Sequence, residues 1–294
     1  MDISGATSVF GIIGDPVDHS LSPMFQQFFL AGAGLDAVYV PFHVHEGKLE
    51  TAVAGLWQLG VAGFNVTVPH KQDIVSMVVP DSGACMIGAI NTVKRHGGEW
   101  FGTNTDWQGI AAVIGGFDLK PDLAPVLLFG SGGTARAVLH ALAHMGVTNI
   151  LVCNRNSSRM QEFIAHANIS YPTVEVRAVA WSDDAVRDAC MQANLAVNTT
   201  SIGLAGTNDF PFSLSGISAA IDAVYKPDGR TPFAEKARIA DAEAVDGLSM
   251  LVAQGASSFR FWHGCAADGE GALRWLENRL TRSPMMSPAW GALT

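Results

Sequence analysis

The amino-acid sequence predicts an α/β protein in two successive parts, each a sheet covered by helices. Three observations predict it. Short apolar runs of strand length alternate with segments of helical periodicity. The alternation occurs twice, on either side of a polar, proline-marked stretch at Lys120-Pro121-Asp122. The second series opens with a glycine-rich turn between a strand and a helix. A length of 294 residues suits two domains. With 48% hydrophobic and 15% charged residues, the chain can bury a large core and is not of a disordered type.

In the first series, Val9–Ile13, Val38–Phe42 and Phe64–Val68 have the length and composition of buried strands. Ser22-Pro23 marks a helix start, with serine at the N-cap and proline at the first helical position. Leu49, Val53, Leu56 and Trp57 recur at helical spacing, and Gly60 stands where that helix would end. Strands separated by helices predict a mostly parallel sheet covered on both faces. The second series runs as strand Val126–Phe129, helix Thr134–Met145, strand Ile150–Cys153 and a helix over residues 158–167. Further strands are expected at Thr173–Ala178, Leu195–Asn198 and Ile221–Val224, the order of a nucleotide-binding domain. From Gly247 the pattern is helical again, with Leu248, Leu251, Val252, Gly255 and Phe259 on one side, and the segment after Arg282 looks loosely ordered.

The net charge of −9 excludes a nucleic-acid partner, because neutralising phosphates requires clustered Lys and Arg. No basic stretch leads into an apolar one at the N-terminus, and no apolar run approaches the roughly 20 residues of a membrane helix. Cys85, Cys153, Cys190 and Cys265 are far apart and form no CxxC pair, which suits reduced thiols. A cytoplasmic protein with no membrane partner is expected. Monomer and homodimer both stay open.

Gly130, Gly132 and Ala135, within Gly130-Ser131-Gly132-Gly133-Thr134-Ala135, match the G-x-G-x-x-G/A fingerprint of a dinucleotide phosphate loop. Glycines permit the tight turn and let backbone N–H groups approach a pyrophosphate at a helix N-terminus. The next strand ends in Asn154-Arg155-Asn156-Ser157-Ser158-Arg159, where an NAD enzyme would carry a carboxylate for the ribose hydroxyls. Arg155 and Arg159 suit a 2′-phosphate instead, so NADP is the expected cofactor. Cys153, beside this loop, is expected to be a small core residue.

Only six lysines are present, and Lys71 closes a short apolar strand in Asn65-Val66-Thr67-Val68-Pro69-His70-Lys71. Gly102-Thr103-Asn104-Thr105-Asp106 ends in a carboxylate able to pair with it. Such a pair would favour and position the ammonium. Lys71 would then donate a proton to a carbonyl oxygen as hydride arrives at carbon, or accept one in reverse. His70 is expected to shape this surrounding. His43 and His45 share one face of a strand, as a metal pair would, but no third ligand stands nearby in sequence and no metal is expected.

Seven segments in order from residue 19 to about residue 254 resemble the shikimate dehydrogenase family. Asn65–Lys71 is similar to its NVTVPHK segment and Gly102–Asp106 to the segment carrying the aspartate partner. His19-Ser20-Leu21-Ser22-Pro23 resembles HSxSP, implying that Ser20 and Ser22 hold a substrate carboxylate. Gly88-Ala89-Ile90-Asn91-Thr92 resembles GAxNT, implying that Asn91 meets a ring hydroxyl. Asp222-Ala223-Val224-Tyr225, with Thr231-Pro232-Phe233, is similar to DxxYxPxxTPF, and Tyr225 joins the substrate candidates. Residues 246–254 are similar to DGLGMLVxQ, implying a substrate role for Gln254 and a nicotinamide-side contact at Gly247. Val197–Gly203 is like the INATSxG turn, with Thr199 and Thr200 as candidates to bond the cofactor. Thr67 adds a hydroxyl to the donors and acceptors that a polyhydroxylated cyclic acid needs.

The resemblance implies NADP-dependent interconversion of 3-dehydroshikimate and shikimate, a small-molecule substrate. It also implies an N-terminal α/β substrate domain over residues 1–106 with a returning C-terminal helical segment, 247–294, and a Rossmann-like dinucleotide-binding domain over 107–246. Trp107, Ser249 and Asn156 depart from the family pattern of glycine, glycine and threonine. The alternatives are a dehydrogenase shifted to quinate or an aminated analogue, and a non-catalytic ligand sensor.

Overall fold

The computed structural model describes residues 2–119, 124–204, 209–284 and 286–293, so the junction expected at Lys120-Pro121-Asp122 lies outside the described residues. It divides into two compact units. Met1–Gly109 with Leu251–Leu276 form the first, and Ile110–Met250 with Glu277–Thr294 the second. The expected boundaries at 106 and 247 thus fall three and four residues later; residues 251–276 return to the first unit, and only 277–294 group with the second.

The first unit begins β1 (Ser8–Gly14), α1 (Ser22–Gly32), β2 (Ala37–His43), α2 (Leu49–Gln58) and β3 (Gly63–Val66). It continues through β4 (Val79–Pro80), α3 (Ser82–Ile87), β5 (Thr92–His96), β6 (Glu99–Thr103) and the start of α4 (Asp106–Ile114). The sheet order is β2-β1-β3-β5-β6-β4. It is mixed, with parallel pairs in the majority as expected: β1 runs parallel to β2 and β3 and β4 parallel to β6, whereas β5 is antiparallel to both β3 and β6. The β5–β6 pair is a hairpin at Gly97-Gly98, whose two positive φ angles of 58° and 91° fit the two-residue turn matched to strand twist. Helix α1 starts with Leu21, not Ser22, at its N-cap; Ser22 is the first helical residue, beside Pro23, and is buried.

The second unit carries β7 (Val126–Phe129), α5 (Gly133–His144), β8 (Asn149–Cys153), α6 (Ser157–Ser170), β9 (Glu175–Val179), α7 (Asp183–Cys190) and β10 (Leu195–Asn198). Then come β11 (Ala219–Asp222), α8 (Pro232–Ile239) and β12 (Glu243–Val245), after which α9 (Leu248–His263) and α10 (Gly269–Arg279) belong for most of their length to the first unit. Its sheet order, β12-β11-β10-β7-β8-β9, is parallel throughout. The buried strands are accordingly near-continuous apolar runs such as Val126-Leu127-Leu128-Phe129. Phe129, Phe210, Phe212 and Phe233 interlock at ring separations of 4.9–6.2 Å in its core.

The segment after Arg282 is anchored rather than loose. Arg282 forms two hydrogen bonds to buried Asp246, Ser249 donates to the carbonyl of Met286, and the N–H of Ala289 donates to Ala112. Among the described residues no helix is long and apolar enough to cross a membrane. All four cysteines are free.

Candidate active site

At the carboxyl end of β3 the chain turns through residues 67–71, and the carbonyl of Lys71 accepts from the N–H of Ile90. Asn91 is fixed between this turn and β6, its carbonyl bonded to Val66 and its N–H to Thr103. Asp106 opens α4 immediately beyond β6, its N–H bonded to the Asn104 side chain. These backbone ties bring residues distant in sequence together. Lys71 Nζ lies 2.5 Å from Asp106 Oδ2, with the two side chains 12% and 6% exposed. The pair expected from the sequence forms.

Asn91 completes the carboxylate's surroundings. Its Oδ1 accepts from the Thr105 N–H at 2.7 Å, and because a backbone N–H can only donate, the amide orientation is determined. Nδ2 therefore donates, to Asp106 Oδ1 at 2.8 Å and, sharing its two protons, towards Thr105 Oγ1 and Gln254 Oε1 at 3.0 and 3.1 Å. Gln254 is oriented in turn by Nε2 donating to the Leu251 carbonyl. Both oxygens of Asp106 are engaged, one by Lys71 and one by Asn91, so its carboxylate cannot swing away from the ammonium without breaking a buried bond.

The two serines differ. Tyr39 Oη donates to Asn65 Oδ1, because Asn65 Nδ2 is committed to the Asn91 carbonyl. The single phenolic proton is thereby used, and Ser22 donates to Tyr39. Burial holds the Tyr39 hydroxyl well above its ordinary pKa. Ser22 is thus a buried strut of this network. Ser20 is half-buried, and its Oγ accepts from the Ser22 N–H, leaving its own proton outside that bond. Thr67 is half-buried, its N–H bonded to Ile13, and its methyl occupies the space that a Cβ at Gly14 would fill. His70 is buried and its Nε2 donates to the Val44 carbonyl, a structural tie as expected. Tyr39, Asn65, Thr105 and Ser258 belong to the same network and were not anticipated. A polar Asn65 within an otherwise apolar strand was the available signal.

In the second unit, Gly132 caps α5 with no side-chain bond, so no cap side chain covers the N-terminus of the helix. A Cβ at Gly132 would meet nothing within 4 Å, so the loop presents open space there. Gly130, at φ 105°, serves a different purpose: a Cβ there would overlap Thr199 Oγ1, whose hydroxyl donates to the Phe129 carbonyl. Thr200 instead turns inward, donating from N and Oγ1 to Asn198. Asn154 reaches Ser131 Oγ at 2.9 Å, and Asn156 caps α6 by accepting from the Arg159 N–H. Arg155 and Arg159 are exposed, with no ion pair among the described residues, so both charges face solvent. Thr134 and Ala135 lie in the first turn of α5. The N–H of Gly247 bonds to Val224, and a Cβ on it would overlap the Ala223 carbonyl. Tyr225 is half-buried in the loop after β11.

The family model for the shikimate dehydrogenase substrate binding domain matches residues 12–93, and the shikimate 5'-dehydrogenase C-terminal domain matches residues 247–270. The NADP(+) shikimate dehydrogenase of Geobacter metallireducens is 38% identical over 271 residues, covering 90% of this chain and 94% of the relative. The chain belongs to the shikimate dehydrogenase family. Among solved structures, the Thermus thermophilus shikimate 5-dehydrogenase in complex with NADP(H) and shikimate superposes with a TM-score of 0.79. It is 32% identical and covers 93% of this chain and 99% of that one. A ligand-free 5-ketofructose reductase of Gluconobacter superposes with a TM-score of 0.80 at 28% identity, covering 94% of this chain and 100% of its own. The first family match contains Ser20, Ser22, Thr67, Lys71 and Asn91, and the second contains Gly247 and Gln254.

Proposed function

We propose that this protein reduces 3-dehydroshikimate to shikimate reversibly, with NADPH as hydride donor. The observation that carries the reading is the Lys71–Asp106 pair held within the Asn91–Gln254 amide network. The Lys71 ammonium delivers its proton to the carbonyl oxygen as that oxygen gains charge, and takes a proton from the alcohol in reverse. Asp106 holds the ammonium in place. Ser20 supplies the hydroxyl donor for the substrate carboxylate, and Asn91, Gln254 and Thr67 face the ring hydroxyls, while Tyr225 adds a phenolic hydroxyl. Bound NADPH supplies the hydride. Gly130, Ser131, Gly132, Gly133, Thr134 and Ala135 would cradle its pyrophosphate. Asn154, Arg155, Asn156 and Arg159 would surround the 2′-phosphate and Thr199 would line the loop. Gly247, whose N–H is already bonded, would meet the nicotinamide through its carbonyl.

The test is spectrophotometric turnover of shikimate and of quinate with NADP and with NAD. Lys71→Ala is expected to lower kcat about 10²–10⁴-fold with KM little changed. Near-normal turnover would remove the acid–base assignment. Arg155→Ala is expected to erode the ratio of NADP to NAD efficiency, and an unchanged ratio would reassign the 2′-phosphate contact. A second reading is a shifted ketone or alcohol substrate. It is favoured by Trp107, directly after Asp106, and by the likeness to a 5-ketofructose reductase. Turnover of quinate above shikimate would support it.

A further inference from the structure

We propose that Asp15, His43 and His45 form a binding site for a divalent transition-metal ion of the zinc and nickel class, separate from the residues that carry the proposed reaction. The parallel register pairs Gly14 with His43, so the chain leaves β1 at Asp15 directly beside the end of β2. Val44 continues the ladder by bonding to Gly14 and turns its side chain into the core. By strand alternation His43 and His45 turn the other way, outward and onto the same face.

The donors converge. His43 Nε2 lies 2.8 Å from Asp15 Oδ1 and His45 Nδ1 lies 3.5 Å from Asp15 Oδ2. One donor atom from each of the three residues lies within 4.8 Å of the others. With metal–ligand bonds of about 2.0–2.1 Å, tetrahedral neighbours stand about 3.3 Å apart, inside the range these side chains already span. Two imidazoles and one carboxylate are the donors that zinc, nickel and copper(II) favour. Asp15 is itself held, its N–H bonded to Val68 and its Oδ2 accepting from the Glu46 N–H, which supplies the outer support that ligands need. Exposure of both histidines leaves room for coordinated water and an open path for the ion. An ion there would tie the start of the 15–21 segment, which carries Ser20, to the end of β2.

The experiment is titration of chelator-treated full-length protein with ZnCl₂ and NiCl₂ by calorimetry, with Co²⁺ absorption as a second readout of nitrogen ligation. The same measurements are made on the His43→Gln/His45→Gln double variant. Thermal melting in chelator shows that the variant is folded. One ion per chain is expected for the wild type, with affinity in the variant reduced beyond the about 10–100-fold typical of losing an outer-shell partner. Absence of binding to the wild type would overturn the proposal. So would binding that survives in the double variant, which would place the ion elsewhere, for example on the exposed thiols of Cys85 or Cys265.

Discussion

Asp222 →Asn is expected to stabilise the protein at alkaline pH relative to acid pH, by an amount the structure allows to be worked out. Asp222 ends β11 fully buried, and its Oδ1 accepts from Asn198 Nδ2 and the Val224 N–H. The Thr231 side chain also hydrogen-bonds the carboxylate, Oδ2 has no partner among the described residues, and none of these groups is a cation. Burial, with a smaller contribution from the charge of Asp246, raises its pKa from 3.8 to about 7. The sign follows from proton counting. Between about pH 4 and 7 the folded protein binds more protons here than the unfolded chain, so stability falls as pH rises through that window and levels off above it. At about 1.36 kcal/mol per unit, keeping the folded group protonated costs about 2 kcal/mol at pH 5, and the buried charge costs about 4 kcal/mol at pH 8. The substitution keeps an Oδ1 acceptor and removes the titration. Urea unfolding of both proteins at pH 5 and pH 8 should show the wild type losing about 2–3 kcal/mol more than the variant between the two. Parallel pH profiles, agreeing within about 0.5 kcal/mol, would refute the raised pKa.

Arg282→Gln should destabilise the second unit by about 3–5 kcal/mol, because it leaves the carboxylate of fully buried Asp246 without its cation; a loss below about 1 kcal/mol in urea unfolding would contradict a structural role for that pair. Iodoacetamide at pH 8 should alkylate Cys85 and Cys265 in the native protein and spare Cys153 and Cys190. Burial pushes the latter thiols up to about 12 and about 11. Peptide mass spectrometry reads the pattern directly, and early labelling of Cys153 would show that β8 is not closed over it.

The second unit was legible in the sequence because a doubly covered parallel sheet turns each strand into an apolar run with little else in it. Val126–Phe129 and Leu195–Asn198 are the clearest cases, observed with unchanged limits. The hairpin of the first unit was hidden by Lys94 and Arg95, which interrupt the apolar pattern because their stems lie along aromatic faces. Lys94 sits 4.3 Å from the Phe261 ring and Arg95 3.8 Å from Trp57. Gly97-Gly98 was the better guide there. Lys71 and Asp106 stood out by residue type and position. Asp15, by contrast, gave no sign of its histidine partners, since strand pairing across 28 residues determines which side chains meet. The division between Ser20 and Ser22 was equally invisible, because it rests on where the proton of Tyr39 goes.

Three aspartates are buried among the described residues, with three different sets of partners, and only one of them faces a group suited to acid–base work. Asp246 faces Arg282 through two hydrogen bonds. A guanidinium does not release its proton in proteins, so that pair can hold structure but cannot exchange protons with a substrate. Asp222 has an amide, a backbone N–H and the Thr231 side chain but no cation, and burial raises its pKa to about 7, which makes it a neutral internal group over much of the acid range. Asp106 alone of the three is paired with an amine. A lysine can both give and regain a proton, and here it sits 12% exposed, partly open to an arriving oxygen. Of these three aspartates, Asp106 is therefore the one whose partner suits proton transfer, which supports the role proposed for Lys71 on physical grounds independent of any resemblance to other proteins.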